Sequence, residues 1–249
     1  MTNSPKVVLI TGAAQRIGAV IARTLHANGM RVIIHYNTSH TAAAQLAAEL
    51  NAERPDSALT LQADLTQMVQ LPKLIQQAAA QWQRLDGLIN NASSFYPTPV
   101  GSVTQEQWDD LMASNLRAPF FLSQAAVPFL AQQQGCIINI ADIHAQIPMC
   151  SYPIYSIAKA GLVMLTKTLA KELGPNIRVN AVSPGAIIWP EGKENVNTAS
   201  EKAAVIAKTA LQRQGSPSDI AKTVLFLLDQ ADYITGQVIA VDGGRVLNI

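Results

Sequence analysis

Cysteine is almost absent from this chain of 249 residues, which contains only Cys136 and Cys150. The two cysteines are not spaced as CxxC, and His144 between them completes no spacing that is typical of a zinc site. We therefore expect no metal centre, and we interpret both side chains as reduced thiols that are buried or half-buried.

Charge is also scarce: 14% of the residues are charged, and the net charge is only +1. Lysine and arginine form no run, which argues against a nucleic-acid partner. No stretch approaches the roughly 18 uninterrupted apolar residues of a membrane-spanning helix. The short polar start over residues 1–6 lacks the pattern of a secretory signal. We expect a cytoplasmic protein that acts on a small molecule, with no nucleic-acid and no membrane partner.

What the sequence does contain is a regular alternation of short apolar runs and longer helical segments. Val7-Val8-Leu9-Ile10 is the kind of continuous apolar run that a strand buried on both faces shows. Further strands are predicted at 31–36, 59–62, 87–89, 136–140, 178–182 and 237–241, and helices at about 11–28, 41–51, 67–83, 105–132, 153–173, 200–212 and 218–228. The alternation predicts an α/β fold, a doubly wound, Rossmann-type parallel sheet of about seven strands in a single domain over residues 1–249.

Two segments interrupt this pattern. Pro119 and Pro128 lie inside the helical segment at 105–132, and because proline lacks an amide donor we expect a break or bend near each. The irregular stretch at 186–197 is interpreted, with the helix after it, as a substrate lid over about 186–212. A surface insertion without a role in binding is the alternative.

Gly12 and Gly18 bracket the turn between the first strand and its helix. Glycine lets a ligand approach the backbone closely, and a helix N-terminus offers amide donors and partial positive charge to a pyrophosphate. Because the turn follows a strand and opens a βαβ unit, we predict a dinucleotide site. A turn that needs glycine only for its backbone conformation is the alternative.

The end of the second strand, residues 35–40, reads His-Tyr-Asn-Thr-Ser-His and contains no acidic residue. A carboxylate at this point would bind the ribose hydroxyls of NAD and would repel a 2′-phosphate. Asn37, Thr38 and Ser39 offer donors instead, and Arg16 adds positive charge nearby. We predict NADPH rather than NADH, although no arginine or lysine lies within residues 35–40.

Tyr155 and Lys159 are four residues apart on a predicted helix, so their side chains share one face. An ammonium group favours the phenolate, so Lys159 is expected to lower the pKa of Tyr155 from about 10 toward the working pH of a general acid. Asp142 follows the preceding strand and is placed to reach the same site. Its alternative role is that of an N-cap or turn former.

The order of the motifs resembles that of the short-chain dehydrogenase/reductase family along essentially the whole chain. The motifs are Thr11-Gly12 with Gly18, Asn90-Asn91-Ala92, Asn115, Tyr155-xxx-Lys159, Ser183-Pro184-Gly185 and Asp242-Gly243-Gly244. The resemblance implies that Tyr155 is the proton donor, that Lys159 holds the nicotinamide ribose, and that Asn115 supports a helix bend and a proton-relay water. The expected cofactor site comprises Gly12, Arg16, Ile17, Gly18, His35, Tyr36, Asn37, Thr38, Ser39, Asp64, Leu65, Asn91, Ala92, Ser93, Lys159, Pro184 and Gly185.

Two departures from the family pattern resemble one subgroup, the pteridine reductases. Most members have glycine where this chain has Arg16, and serine where it has Asp142; the run at 90–99 also matches the subgroup. The resemblance implies that Phe95 stacks on a planar pterin ring. The expected substrate site comprises Arg16, Ser93, Phe95, Asp142, Tyr155 and Trp189. Loop packing for Phe95, a surface cation at Arg16 and a core role for Trp189 are the alternatives.

The leading hypothesis is an NADPH-dependent reductase of dihydropterins of the biopterin, monapterin or dihydrofolate type. The first alternative is an ordinary carbonyl reductase of the same fold, such as a 3-oxoacyl thioester reductase. A non-catalytic NADPH-binding regulator is a second. The resemblance also implies a homotetramer, and the apolar segments 163–173 and 246–249 are compatible with one.

Overall fold

The computed structural model describes residues 4–188 and 198–248. Within them, seven parallel strands form one sheet in the order β3-β2-β1-β4-β5-β6-β7. The strands are β1 Val7–Ile10, β2 Arg31–Tyr36, β3 Ala58–Gln62, β4 Gly87–Asn90, β5 Cys136–Ile140, β6 Arg178–Pro184 and β7 Val238–Val241. The doubly wound α/β fold predicted from the alternation is confirmed.

Helices cover both faces of this sheet. In the described residues they are α1 Arg16–Ala27, α2 His40–Glu53, α3 Gln70–Gln81, α4 Gln105–Met112, α5 Ala118–Gln132, α6 Pro153–Leu173, α7 Ala199–Ala207 and α8 Pro217–Asp229. Alternate residues of β1 point to opposite layers: Val8 and Ile10 pack with α1, α2 and α8, and Val7 and Leu9 with α3, α5 and α6. All four are fully buried, which explains the unbroken apolar run.

The helical segment at 105–132 is interrupted close to Pro119, as predicted, but not at Pro128. A π-helical turn at Ala113–Arg117, which contains Asn115, separates α4 from α5. Pro119 lies in the first turn of α5, where the missing amide costs nothing, and Pro128 lies inside α5 without ending it. Leu122, Ala126 and Leu130 are buried on either side of Pro128, so packing maintains the helix there.

The order of the strands fixes where a ligand binds. The chain runs outward from β1 through β2 to β3, then crosses to β4 on the other side of β1. In such sheets the loops after β1 and β4 diverge and leave a crevice at the carboxyl edge. The predicted site residues follow β1, β2, β4, β5 and β6, so they meet at this edge.

The described residues include no helix that is both long and apolar enough to cross a membrane. In the same ranges, no three His, Cys, Asp or Glu side chains come together as metal ligands would. Cys136 is buried as expected, and its burial raises the pKa of the thiol to about 11. The expectation for Cys150 was wrong, because this residue is exposed in the loop before α6.

Candidate active site

The glycine-rich turn after β1 is closed too tightly for side chains at either predicted glycine. Gly12 has a φ of +61°, and a Cβ added to it would lie 3.0 Å from Ala92 Cα. A Cβ on Gly18 would lie 2.4 Å from the carbonyl oxygen of Gly12. Asn91 fastens the turn by donating from Nδ2 to the carbonyl oxygens of Thr11, at 2.8 Å, and Gly12, at 3.1 Å. Both glycines are therefore required by the fold of the turn itself.

Ligand donors remain available where this turn meets α1. The N-cap Gln15 makes no side-chain capping hydrogen bond, and the first turn of α1 contains no acidic residue. Amide groups and the positive end of the helix dipole are thus available to an anion. The arrangement fits the pyrophosphate of a dinucleotide. Ile17 is half-buried against the core behind it.

Arg16 is the first residue of α1 and has a φ of +54°, in the left-handed region. An ordinary L-residue pays roughly 1–2 kcal/mol for this conformation, whereas glycine adopts it freely. The structure therefore explains why glycine is usual at this position in the family. The side chain of Arg16 is exposed beside the glycine-rich turn. A strained, exposed cation at a ligand-binding turn is the kind of outlier that suggests a function.

His35 does not lie on the surface of the cofactor crevice as predicted. Its side chain is buried, with 2% exposure, beneath the glycine-rich turn. Nδ1 accepts a hydrogen bond from the amide of Gly12 at 3.1 Å, and Nε2 lies 3.1 Å from the carbonyl oxygen of Ala63. Burial lowers the pKa of His35 to about 4, so the ring is neutral. The prediction of a direct cofactor contact was wrong for this side chain because the ring is used inside the protein.

The residues at the end of β2 and the start of α2 line an open depression. Asn37 and Thr38 are exposed, and Tyr36 and Ser39 are half-buried. The first turn of α2 contains no acidic residue, and Ser39 at its N-cap makes no side-chain capping bond. A cavity of about 380 Å³ is lined by Gln15, Thr38, Ser39, His40, Thr41, Ala42 and Gln45. His40 and Thr41 were missed by the sequence analysis, although a helix N-terminus next to two hydroxyls signals an anion site.

Asp64 and Leu65 follow β3 at the same edge. Asp64 Oδ1 accepts hydrogen bonds from Thr66, at 2.9 Å from the amide and 2.7 Å from the hydroxyl. The backbone amide of Asp64 donates to Gln70 Oε1 at 2.8 Å. The side chain of Leu65 is buried in the core, so only its backbone faces the crevice edge.

Asp142 and Tyr155 are joined directly. The Tyr155 hydroxyl donates to Asp142 Oδ2 at 2.8 Å, and Asp142 Oδ1 accepts from the backbone amide of His144 at 2.8 Å. Asp142 thus caps the short 3₁₀ turn Ile143–Ala145 and binds the phenol at the same time. The two roles that the sequence left as alternatives are both present.

This carboxylate reverses the expected effect on Tyr155. Burial and the negative charge of Asp142 raise the pKa of Tyr155 well above its ordinary value, while a hydrogen bond from Ser93 has a smaller, opposite effect. The expected lowering by Lys159 was wrong. Lys159 Nζ lies 5.6 Å from the ring centroid of Tyr155 and donates to the carbonyl oxygen of Ile140 at 2.9 Å. Burial lowers the pKa of Lys159 to about 8, and Asp142 partly offsets this.

Asn115 is linked to Tyr155 through the hydroxyl of Ser93. Its side chain is buried in the π-turn and donates to the carbonyl oxygens of Leu111, at 3.0 Å, and Ser94, at 2.9 Å. Its Oδ1 accepts from the Ser93 hydroxyl at 2.6 Å. The predicted helix bend at Asn115 is thus the π-turn. The single hydroxyl proton of Ser93 has three acceptors within reach: Asn115 Oδ1, the oxygen of Tyr155 and, at 3.4 Å, the carbonyl oxygen of Ser94.

Phe95 lies at the mouth of the site with 38% exposure. Tyr152 stacks on one of its faces, with ring centroids 4.6 Å apart and an interplanar angle of 12°. Tyr155 packs against it at 4.8 Å in a T-shaped contact. Tyr152 thus occupies one face of Phe95, so a planar substrate could not stack on that face. Tyr152, which the sequence analysis did not single out, completes this aromatic group.

The carboxyl ends of β6 and β7 form the opposite wall. Pro184 is buried, and a Cβ on Gly185 would lie 2.7 Å from Asp242 Cα, so this glycine is required by close packing. Asp242 in turn accepts from the amides of Gly244, at 2.9 Å, and Val246, at 2.8 Å. The turn so formed carries Arg245, which the sequence analysis missed although it directly follows the Asp-Gly-Gly motif.

Arg245 interacts electrostatically with Asp142. Burial lowers the pKa of its guanidinium, while the negative charges of Asp142 and Asp242 raise it. Among the described residues, its buried Nε has no hydrogen-bond partner. Asp142 thus interacts with two cations, Lys159 and Arg245.

Two predictions fall on residues 189–197, which lie outside the described residues. One is the substrate contact of Trp189. The other is the central part of the lid at about 186–212. In its described part, helix α7 at Ala199–Ala207 contains no buried residue, and it ends earlier than predicted.

The parallel sheet, the glycine-rich turn, the π-turn asparagine and the Tyr155/Lys159 pair on α6 define the class of short-chain dehydrogenases/reductases. A profile of this class, described as enoyl-(acyl carrier protein) reductase, matches residues 12–245. The chain belongs to this family and is an oxidoreductase. Members of the family use a nicotinamide dinucleotide, NADH or NADPH.

Relatives with two kinds of substrate are similar to this chain. Pteridine reductase 1 of Leishmania tarentolae is 37% identical over 99% of each chain. A 3-oxoacyl-[acyl-carrier-protein] reductase of Synechocystis sp. is 36% identical over 97% of each chain. The corresponding FabG reductase of Staphylococcus aureus is 35% identical over 97% of this chain and 98% of its own. These identities are too similar to distinguish the two substrates.

Proposed function

We propose that this protein is an NADPH-dependent reductase that converts dihydropterins to tetrahydropterins. The observation that carries the proposal is the 2.8 Å hydrogen bond from Tyr155 to Asp142. An acid at this position is unnecessary for protonating a carbonyl oxygen. Next to an aminopterin, it offers a negatively charged acceptor for ring and amino N–H groups.

The reaction adds a hydride to the carbon of a ring C=N bond and a proton to its nitrogen, so that one CH–NH unit forms. The nicotinamide cofactor supplies the hydride. Burial and Asp142 keep Tyr155 protonated by raising its pKa, so the phenol has its proton in place when the substrate binds. As this proton leaves, the Ser93 hydroxyl is within reach to turn from Asn115 and donate to the phenolate. Lys159 and Arg245 offset the negative charge that accumulates beside Asp142.

The preference for NADPH rests on the end of β2. Residues 35–40 contain no carboxylate, and the cavity beside them combines the hydroxyls of Thr38, Ser39 and Thr41 with the N-terminus of α2. A 2′-phosphate has three acceptor oxygens, which match hydroxyl and amide donors. These features support a phosphate more than the bare ribose of NADH.

An ordinary 3-oxoacyl thioester reductase is the second candidate. It is favoured by the names of the relatives from Synechocystis and Staphylococcus aureus. Tyr155, Lys159 and Asn115 would serve either reaction. Only the pterin reaction gives Asp142 a role in binding the substrate, so this residue distinguishes the two candidate functions.

A substrate panel with Asp142→Ser separates them. The unaltered protein should oxidise NADPH with dihydrobiopterin, dihydromonapterin or dihydrofolate, and the variant should lose roughly 10²-fold or more of this turnover. The matched control is Asp110→Ser, which removes another carboxylate that accepts from a tyrosine, Tyr96, at 2.9 Å. Turnover of an acetoacetyl thioester by the unaltered protein, with no pterin reduced, would establish the second candidate instead.

We also propose that the protein assembles as a homotetramer through helix faces beside the site. Trp108, Phe120, Ile157 and Met164 of α4, α5 and α6 are 39–61% exposed, which is unusual for large apolar side chains. Light scattering after gel filtration should give about four times the chain mass of 26.6 kDa. A monomeric mass would reject the assembly without affecting the proposed reaction.

A further inference from the structure

His35 connects two backbone segments that belong to different ends of the cofactor crevice. On one side of the ring is Gly12, in the turn that opens α1; on the other is Ala63, immediately before Asp64. The carbonyl oxygen of His35 also accepts from the amide of Ala13 at 2.9 Å. One residue of β2 thus holds the glycine-rich turn by its backbone and side chain, and extends that contact to the end of β3.

The two hydrogen bonds define the protonation state of the ring. The Gly12 amide can only donate, so Nδ1 must be unprotonated and accept. The carbonyl oxygen of Ala63 can only accept, so Nε2 carries the proton. A neutral imidazole is the one ring form that satisfies both partners. The low pKa of His35, about 4, agrees with this geometry.

The turn has separate supports on its other side. Asn91 donates to the carbonyl oxygens of Thr11 and Gly12, and the Thr11 hydroxyl accepts from the amides of Asn91 and Ala92. These bonds tie the turn to the end of β4. Loss of the His35 ring would therefore remove the bond to Gly12 and the connection to the end of β3. The backbone bond from Ala13 to His35 and the bonds to β4 would remain.

We infer that His35 is a positioning residue for the dinucleotide, whose neutral ring sets the spacing between the glycine-rich turn and the Ala63–Asp64 end of β3. It acts through these backbones and does not touch the cofactor. This inference rests on the cofactor part of the proposed function. It does not depend on the identity of the second substrate.

Three variants test this inference. The Kd for NADPH is measured directly by fluorescence titration, without a second substrate. His35→Leu fills similar space without hydrogen bonds and should raise the Kd for NADPH by about tenfold or more. His35→Asn places Oδ1 near the position of Nδ1, so it should recover part of the lost affinity. His26→Leu is the matched control, since His26 is also a buried histidine and bonds Ser57 at 2.7 Å. It should lower stability and leave the Kd unchanged.

At saturating NADPH, kcat of His35→Leu should stay within about threefold of the unaltered protein, because the proton-transfer group is intact. A Kd within twofold of the unaltered protein for folded His35→Leu would overturn the inference. So would an equal rise in His26→Leu, which would make the effect one of general stability. Failure to reduce any pterin would reject the proposed substrate and leave the binding result interpretable.

Should His35→Leu not fold, imidazole ¹⁵N spectra of the unaltered protein provide a second test. Nδ1 should be unprotonated and show a scalar coupling to the Gly12 amide nitrogen across their hydrogen bond. Nε2 should carry the proton at neutral pH. A proton on Nδ1 would overturn the inference, because the ring would then be unable to accept from Gly12.

Discussion

The ammonium of Lys159 lies 5.6 Å from the ring centroid of Tyr155, while the hydroxyl of that ring donates its hydrogen bond to Asp142. Burial and this carboxylate, and not the lysine, therefore set the direction of the shift in the pKa of the phenol. Burial and Asp142 keep Tyr155 protonated far into the alkaline range, and burial lowers the pKa of Lys159 to about 8. Of the two, Lys159 therefore loses its proton before Tyr155 as the pH rises.

This order predicts the pH dependence of the reaction. The profile of kcat/KM should fall on the alkaline side near pH 8, as the Lys159 ammonium is lost. Asp142→Asn removes the anion that raises the pKa of Lys159, so the alkaline limb should move to lower pH. Steady-state kinetics between pH 6 and 10 measure both. An alkaline limb above pH 10, or a shift to higher pH in the variant, would contradict this assignment.

Removal of the phenolic hydroxyl tests the proton donor itself. Tyr155→Phe should lower turnover by roughly 10²–10⁴-fold, because general acid catalysis contributes about this much. The Kd for NADPH should change little, since the ring and its packing on Phe95 remain. Tyr96→Phe is the control, as it also removes a tyrosine–aspartate hydrogen bond. Equal turnover of Tyr155→Phe and the unaltered protein would reject the role.

Much of the fold was predictable because its signals are local. The buried strands are unbroken apolar runs, and β2, β5 and α6 begin and end at the predicted residues. The π-turn had a weaker local signal, and the bend at Asn115 was implied only by the resemblance to the family. Its position depends on Asn115 bonding across to Ser94, whereas Pro128, the stronger local signal, is tolerated inside a well-packed helix.

The site was predictable in its members but not in its electrostatics. The sequence predicted that Asp142, Tyr155 and Lys159 share one site. The direction in which the pKa of Tyr155 shifts depends on burial and on which neighbour its hydroxyl reaches, and the sequence does not show either. His35 looked like a crevice residue because it precedes Tyr36 at a strand end. The alternation of side chains along β2 turns it inward, and a buried partner on either side keeps it there.

Arg16 has a strained backbone conformation and a proposed ligand contact. The substitution Arg16→Gly relieves the strain and removes the contact, so it tests the two effects separately. Arg16→Gly should leave the thermal midpoint equal or higher, because glycine adopts a positive φ without cost. It should raise the KM for NADPH or the pterin by about tenfold through loss of the cation. Gln83→Gly is the control, since Gln83 has the same φ of +54°. Unchanged KM values for both substrates would show that Arg16 is only a surface cation.

A single carboxylate at the end of β2 should reverse the cofactor preference. Asn37→Asp places a negative charge where the 2′-phosphate is proposed to bind, at a cost of about 1–3 kcal/mol, or roughly 10- to 100-fold in kcat/KM for NADPH. The value for NADH should stay the same or rise. Asn37→Ser, which adds no charge, should keep the NADPH preference. Equal losses with both cofactors would place the phosphate elsewhere.

Arg245 tests whether the wall formed by the ends of β6 and β7 contributes to substrate binding. Its charge interacts with Asp142, and its buried Nε has no hydrogen-bond partner among the described residues. We expect the guanidinium to bind a substrate carbonyl or ring nitrogen. Arg245→Met keeps most of the length without the charge and should lower kcat/KM for a dihydropterin by about tenfold, at unchanged Kd for NADPH. Arg213→Met is the matched control, because Arg213 pairs with Asp219 at 3.3 Å on the surface. A loss confined to NADPH affinity would assign Arg245 to the cofactor and not to the substrate.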